Sequence, residues 1–158
     1  MNIIGTVTIN PILFYSGKLS GYISWILLVL CLTGTIHLQM ITSSPLLTYV
    51  SIFCIVAGSI FTITSMINLG KSTRLGLPSE TTAFKNNGIY KISRNPMYVG
   101  FNLFTIASIA GCANGIVTLM GVYSIIIYHL IIKSEEQFLE QRFGQTYIDY
   151  KRKIRRYL

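Results

Sequence analysis

The residues best equipped for chemistry lie in two short stretches. The first is Gly88-Ile89-Tyr90-Lys91-Ile92-Ser93-Arg94-Asn95-Pro96-Met97-Tyr98-Val99-Gly100, and the second is Glu135-Glu136. Pro96 suits the opening of a helix, where its fixed φ is tolerated and its missing donor costs nothing. Arg94 then stands at the helix mouth, with Tyr98 and Gly100 in the first turn. Gly100 permits close approach of a helix or a ligand. Tyr98, Asn102, Thr105 and Ser108 recur at spacings of 4, 3 and 3, a polar stripe on one face of an apolar helix. A stripe of this kind faces a bundle interior rather than lipid. It serves either as hydrogen-bonding glue between helices or as the wall of a site. The paired carboxylates have two readings as well: a solvated helix end, or an anion that receives a cationic ligand group. His129, seven residues before Glu136, reads as a buried neutral hydrogen-bonding residue rather than as lining of the same cavity, and so, more strongly, does the isolated His37.

The elements that must position these groups are membrane helices. Of 158 residues, 51% are hydrophobic and 11% charged, whereas soluble domains carry about 25% charged residues. The net charge of +8 leaves nucleic acid or a membrane surface as partners, and the placement of the charges decides for the membrane. Lys18 stands alone, six charged residues lie from Lys71 to Arg94, and the other 11 lie from Lys133 to Arg156. The stretches 19–70 and 95–132 hold none. Blocks of that length read as membrane, with the basic groups on its cytoplasmic side. Cys31, Cys54 and Cys112 fit neither a metal spacing nor a disulfide framework and read as small apolar residues.

Spans are predicted at 20–41 and 46–69, each near the roughly 20 residues a crossing needs, with an uncharged turn at 42–45. Residues 1–17, broken by Gly5, Asn10, Pro11 and Gly17, read as an interfacial segment. Residues 70–96 form a polar connection, long enough to suggest function. Shorter helices at 97–112 and 116–132 make a hairpin about Ala113-Asn114-Gly115. From Ser134 to Leu158, Phe138, Leu139, Phe143, Tyr147 and Tyr150 recur at helical spacing among charges, as in an amphipathic helix on the membrane surface. Its basic cluster, Lys151 to Arg156, reads as a headgroup anchor. The expected fold is thus an all-α integral membrane protein of about four transmembrane helices, ending in a helical hairpin and an amphipathic cytosolic helix. Four crossings put Lys18 and both later basic groups on one side, so both termini are expected in the cytoplasm. No basic segment precedes an apolar core at the N-terminus, and Arg155-Arg156-Tyr157-Leu158 is not a prenylation box, so neither a cleaved signal nor that lipid anchor is expected.

Arg94-Asn95-Pro96-Met97-Tyr98-Val99-Gly100 followed by Glu135-Glu136 resembles the R-H-P-x-Y-x-G … E-E signature of isoprenylcysteine carboxyl methyltransferases and related phospholipid methyltransferases. Gly88-Ile89-Tyr90 resembles the family's G-x-Y, and Phe143-Gly144, Tyr147 and Tyr150 its F-G-x-x-Y-x-x-Y tail. The likeness covers about residues 68–158. Asn95 stands where the family has His. Asn donates and accepts but does not titrate, which excludes a base at that position.

The resemblance implies a single membrane domain over 1–158, with 1–69 an N-terminal pair of spans and 70–158 a cofactor-binding core. It implies S-adenosylmethionine as methyl donor, bordered by Asn95, Pro96, Tyr98, Gly100, Glu135 and Glu136. Arg94 would be the catalytic residue that orients the acceptor's anionic group, with Asn102 also contacting substrate. A family without a Rossmann domain needs no G-x-G-x-x-G loop, and none is present. The expected partners are membrane lipids and a lipophilic or lipidated acceptor, and no nucleic acid. A carboxylate acceptor is ionised at neutral pH and needs no base, which suits a chain so poor in candidate bases. A prenylated protein C-terminus, a free isoprenoid thioether, a phospholipid amine and a small hydrophobic acid all remain open. Two other classes compete: a nicotinamide-dependent membrane reductase, and a non-catalytic membrane subunit.

Overall fold

The computed structural model describes residues 9–41, 44–70, 84 and 86–158. Most of the polar connection 70–96, residues 1–8 of the N-terminal segment and residues 42–43 of the first turn lie outside the described residues. The rest is helical: α1 (Pro11–Leu32), α2 (Pro45–Leu69), a 3₁₀ turn (Gly88–Lys91), α3 (Pro96–Cys112), α4 (Gly115–Phe143) and α5 (Gln145–Lys153).

Local chemistry sets the ends of these helices. Proline occupies the first turn of α1, α2 and α3, where its missing N–H is not needed. Asn10 caps α1 by accepting from the Ile12 amide at 2.9 Å. Asn114 caps α4 by accepting from Ile116 and Val117. Gly70 and Gly144 close α2 and α4 with φ of 52°, a left-handed value that glycine adopts without strain.

At 1.5 Å per residue, α1, α2 and α4 run about 33, 38 and 44 Å against a hydrocarbon layer of about 30 Å. All three are long and apolar enough to cross a membrane, and α3 is a shorter apolar helix of 17 residues. The chain is an all-α integral membrane protein. Its outer faces are apolar, with Phe53, Ile67 and Leu119 among the most exposed side chains.

Helix α3 sits at the centre and packs against the other three. Small residues bring the backbones together, as membrane packing requires. Buried Ser51, Cys54, Gly58 and Ser65 of α2 face α3 or the 3₁₀ turn. Ser51 donates to the Ala107 carbonyl at 2.9 Å, and Gly58 and Gly100 back onto each other. On the other side, Gly17 of α1 abuts Ile127 of α4, and Gly21 abuts Ser124 and Tyr128. Trp25 of α1 donates to Thr105 of α3 at 3.0 Å.

Three expectations are corrected. The first span is Pro11–Leu32 rather than 20–41, so Lys18 lies inside it rather than before it. Asn10-Pro11, read as a break, is a cap followed by a first-turn proline. Residues 33–41 instead run without helix back to the hairpin turn, where the Ile41 amide donates to the Ala113 carbonyl. The fourth helix does not stop at 132 but continues through both glutamates to Phe143. The C-terminal segment is therefore not one surface helix. It breaks at Gly144, and Tyr147 and Tyr150 of α5 are buried against the protein.

Candidate functional site

The length of α4 makes the site. Its apolar part ends near Lys133, and the last three turns continue towards the membrane boundary, carrying Glu135 and Glu136 past the mouth of α3. Gly144 then reverses the chain, and α5 and the C-terminal residues fold back onto the same mouth. The Arg94 amide donates to the Arg155 carbonyl at 3.0 Å. Ser93 donates to the Arg156 carbonyl, and Tyr150 to the Tyr90 carbonyl at 2.6 Å. The phenol ring of Tyr157 is tied to His129 Nδ1 at 2.8 Å. Phe84 closes the far side, its ring 5.2–5.7 Å from those of Phe143, Tyr147 and Tyr150. Burial raises the Tyr90 phenol to about 12, and burial likewise raises Tyr147 and Tyr150. All three hydroxyls stay protonated at neutral pH.

Glu136 is the hub, 2% exposed. Arg94 reaches it in fork geometry, Nε to Oε1 at 3.0 Å and Nη2 to Oε2 at 3.2 Å. Arg156 donates Nε and Nη2 to Oε2 at 3.0 and 2.9 Å. Asn95 Nδ2 donates to Oε1 at 2.9 Å. Two cations and an amide thus share one buried carboxylate, the arrangement that makes a buried charge tolerable. The hydrogen bonds to Glu136 hold the Arg156 guanidinium above its usual value, against a smaller opposing effect of burial. Arg94 Nη1 donates to the carbonyls of Lys151 and Ile154, so all three of its side-chain nitrogens are engaged. Asn95, in the cap position of α3, makes no side-chain cap bond; its amide serves Glu136.

Glu135, one residue earlier, faces elsewhere. The Tyr98 hydroxyl donates to its Oε1 at 2.8 Å. None of the ion pairs among the described residues includes it, although the charge of Lys18 acts on it. Beside Tyr98, the rings of Phe101 and Tyr128 lie 6.0 and 5.7 Å from its own, and Trp25 lies 5.4 Å from Phe101.

The structure thus brings together Arg94, Asn95, Tyr98, Glu135 and Glu136, with buried Pro96 opening α3 beside them. It does not bring Gly100 to the carboxylates, because that residue is pressed against Gly58 and Thr62 of α2. Asn102 lies one turn beyond Tyr98, its buried Oδ1 without a hydrogen-bond partner. Two residues were missed as site members. Arg156, read as a headgroup anchor, carries no spacing signal, since only the reversal at Gly144 delivers it. Lys18 did carry one: a lone charge inside a membrane helix is itself a functional pointer.

A sequence profile described as phospholipid methyltransferase matches residues 46–146, which take in the Arg94–Gly100 stretch and both glutamates. The chain is also 26% identical over 106 residues to protein-S-isoprenylcysteine O-methyltransferase B of Arabidopsis thaliana, an alignment covering 63% of this chain. It spans 53% of that relative, about half its length. Since the profile covers well over half of the sequence, the chain belongs to the phospholipid methyltransferase family.

Proposed function

We propose that this protein transfers a methyl group from S-adenosylmethionine to a lipophilic acceptor, in first place the carboxylate of an isoprenylcysteine-like molecule. The observation that carries the reading is the division of labour between the two glutamates. Glu136 is consumed by Arg94, Arg156 and Asn95, while Glu135 stands outside that network, held by the Tyr98 hydroxyl.

The residues fit the cofactor's chemistry. Glu135 offers an anion to its ammonium, and the rings of Tyr98, Phe101 and Tyr128 offer π faces to a cation. Asn102, with its unpaired buried oxygen, offers an acceptor to a ligand donor. When bound, S-adenosylmethionine supplies a methyl group on a positively charged sulfur, which an acceptor oxygen displaces in line. The protein's own work is to position and to exclude water. Tyr98 fixes Glu135. Arg94, Asn95 and Pro96 fix the start of α3, and Gly100 lets α2 approach it. In this proposal Arg94 acts through Glu136 and the C-terminal residues as a positioning residue, and the orienting role expected of it passes elsewhere. The match to an isoprenylcysteine O-methyltransferase supports a carboxylate acceptor, and the family's description supports a phospholipid as second choice. The charge pattern supports a cytoplasmic side for both termini and the site.

The test is titration of S-adenosylmethionine into purified protein, with Glu135→Gln alongside. Wild type should bind, and the variant should bind at least about tenfold more weakly while remaining folded, the scale of one charge-assisted hydrogen bond. Folded wild type that does not bind S-adenosylmethionine rejects the reading. A parallel titration with a nicotinamide cofactor covers the reductase alternative.

A further inference from the structure

Lys18 is an unusual residue for its position. It lies in the interior of α1, in a chain with no other charge up to residue 70, and it is 9% exposed. Its ammonium sits 4.0 Å from the centroid of the Phe14 ring. The charge of Glu135 acts on it, but no ion pair among the described residues includes it. A cation held in a membrane helix without a close counter-ion is costly and marks a ligand path. Tyr22, one turn on, packs on Trp25 with ring centroids 5.2 Å apart.

An apolar groove lies further along α1, beginning at Tyr22. It measures about 320 Å³ and is lined by Tyr22, Trp25, Ile26, Val29 and Leu30. Residues 18, 22, 25 and 29 follow one another at helical spacing, so cation and groove share a face of α1. Ile26 and Val29 are each 57% exposed, which opens the groove to the bilayer. The ligand that matches this outline has one anionic end and an apolar chain, and it enters from lipid. Of the two arginines at the site, Arg94 has all its side-chain nitrogens engaged, and Arg156 gives Nε and Nη2 to Glu136.

We infer that Lys18 receives the carboxylate of the methyl acceptor, whose apolar chain lies in the groove from Tyr22 to Leu30. This rests on the methyltransferase reading for the identity of the occupant. Lys18 then brings the acceptor's anion beside Glu135, and Glu135 brings the cofactor's cation beside the acceptor.

The probes are N-acetyl-S-farnesylcysteine and its methyl ester, titrated into the full chain in phosphatidylcholine nanodiscs. They differ in one charge. Wild type should prefer the acid by about tenfold, the scale of a charge-assisted hydrogen bond. Lys18→Gln should bring the ratio near one, and Lys18→Arg should restore it. Ile26→Trp, at an exposed position, should fill the groove and weaken acid and ester alike. Equal binding of acid and ester by wild type overturns the inference and marks the groove as ordinary lipid contact. So does a preference that survives in folded Lys18→Gln. Because the ratio is read without cofactor, it separates the two claims. Absent S-adenosylmethionine binding rejects the proposed function, whereas an absent acid preference rejects Lys18.

Discussion

Glu135 and Glu136 are neighbours in sequence, about 100° apart around α4, and they serve opposite purposes. Glu136 is saturated. Arg94, Arg156 and Asn95 close around it, and through them the last residues of the chain are bound to the start of α3. Among the described residues, Glu135 has one hydrogen-bonding tyrosine and a lysine acting from a distance. A carboxylate built into a structural knot has little affinity left to give. A carboxylate set beside the knot, held by it but not part of it, keeps that affinity for a ligand. The pair shows why two adjacent acids are useful: one builds the wall and the other faces the room.

Substitution should separate them. Glu136→Ala leaves two guanidiniums facing each other and should be the most destabilising change, by about 3–5 kcal/mol, read by thermal or denaturant unfolding in detergent. Glu135→Gln should cost less than about 1 kcal/mol of stability, its effect appearing in S-adenosylmethionine binding. The comparison collapses if the two variants exchange profiles, Glu135→Gln unfolding the protein and Glu136→Ala sparing it. Gly100→Ala comes next. The added methyl would meet the Gly58 carbonyl and the Thr62 side chain, so α2 must move, at about 1–3 kcal/mol. If Gly100 bordered the ligand instead, binding would fall while the unfolding midpoint held.

The sequence carried much of the frame. Uncharged stretches announced membrane helices, and Pro96 marked the start of α3. The resemblance to the methyltransferase signature implied one site for Arg94, Tyr98 and Glu135-Glu136, and these residues do meet. What was hidden depended on the path of the chain. A helix start written as Asn10-Pro11 looks like a break until the apolar residues beyond it are seen to pack, and α1 was displaced accordingly. Its interior face is made of Gly17, Gly21 and Ser24, small residues that give a weak periodic signal yet allow close approach. The partnership of Glu136 with Arg156 was not legible at all. It depends on a left-handed glycine at 144 and on burial of two tyrosines, neither of which a charge pattern encodes.

The smallest effect tests how the knot is divided between its arginines. Arg94 is nearly buried with Glu136, whereas the Arg156 side chain is 31% exposed. Arg156→Lys keeps the charge but cannot reproduce two donors on one oxygen. Solvent screening limits the loss to about 1 kcal/mol or less. Global unfolding will hardly register it, so the readout must be local. The Arg94 amide is bonded to the Arg155 carbonyl, and its hydrogen exchange reports how long the C-terminal residues stay down. Faster exchange at Arg94 in the variant, with the midpoint of unfolding unchanged, is the expected result. Unchanged exchange would mean that Arg94 alone holds the knot. Glu136 would then be a one-arginine site, and the contrast with Glu135 would rest on burial rather than on the number of its partners.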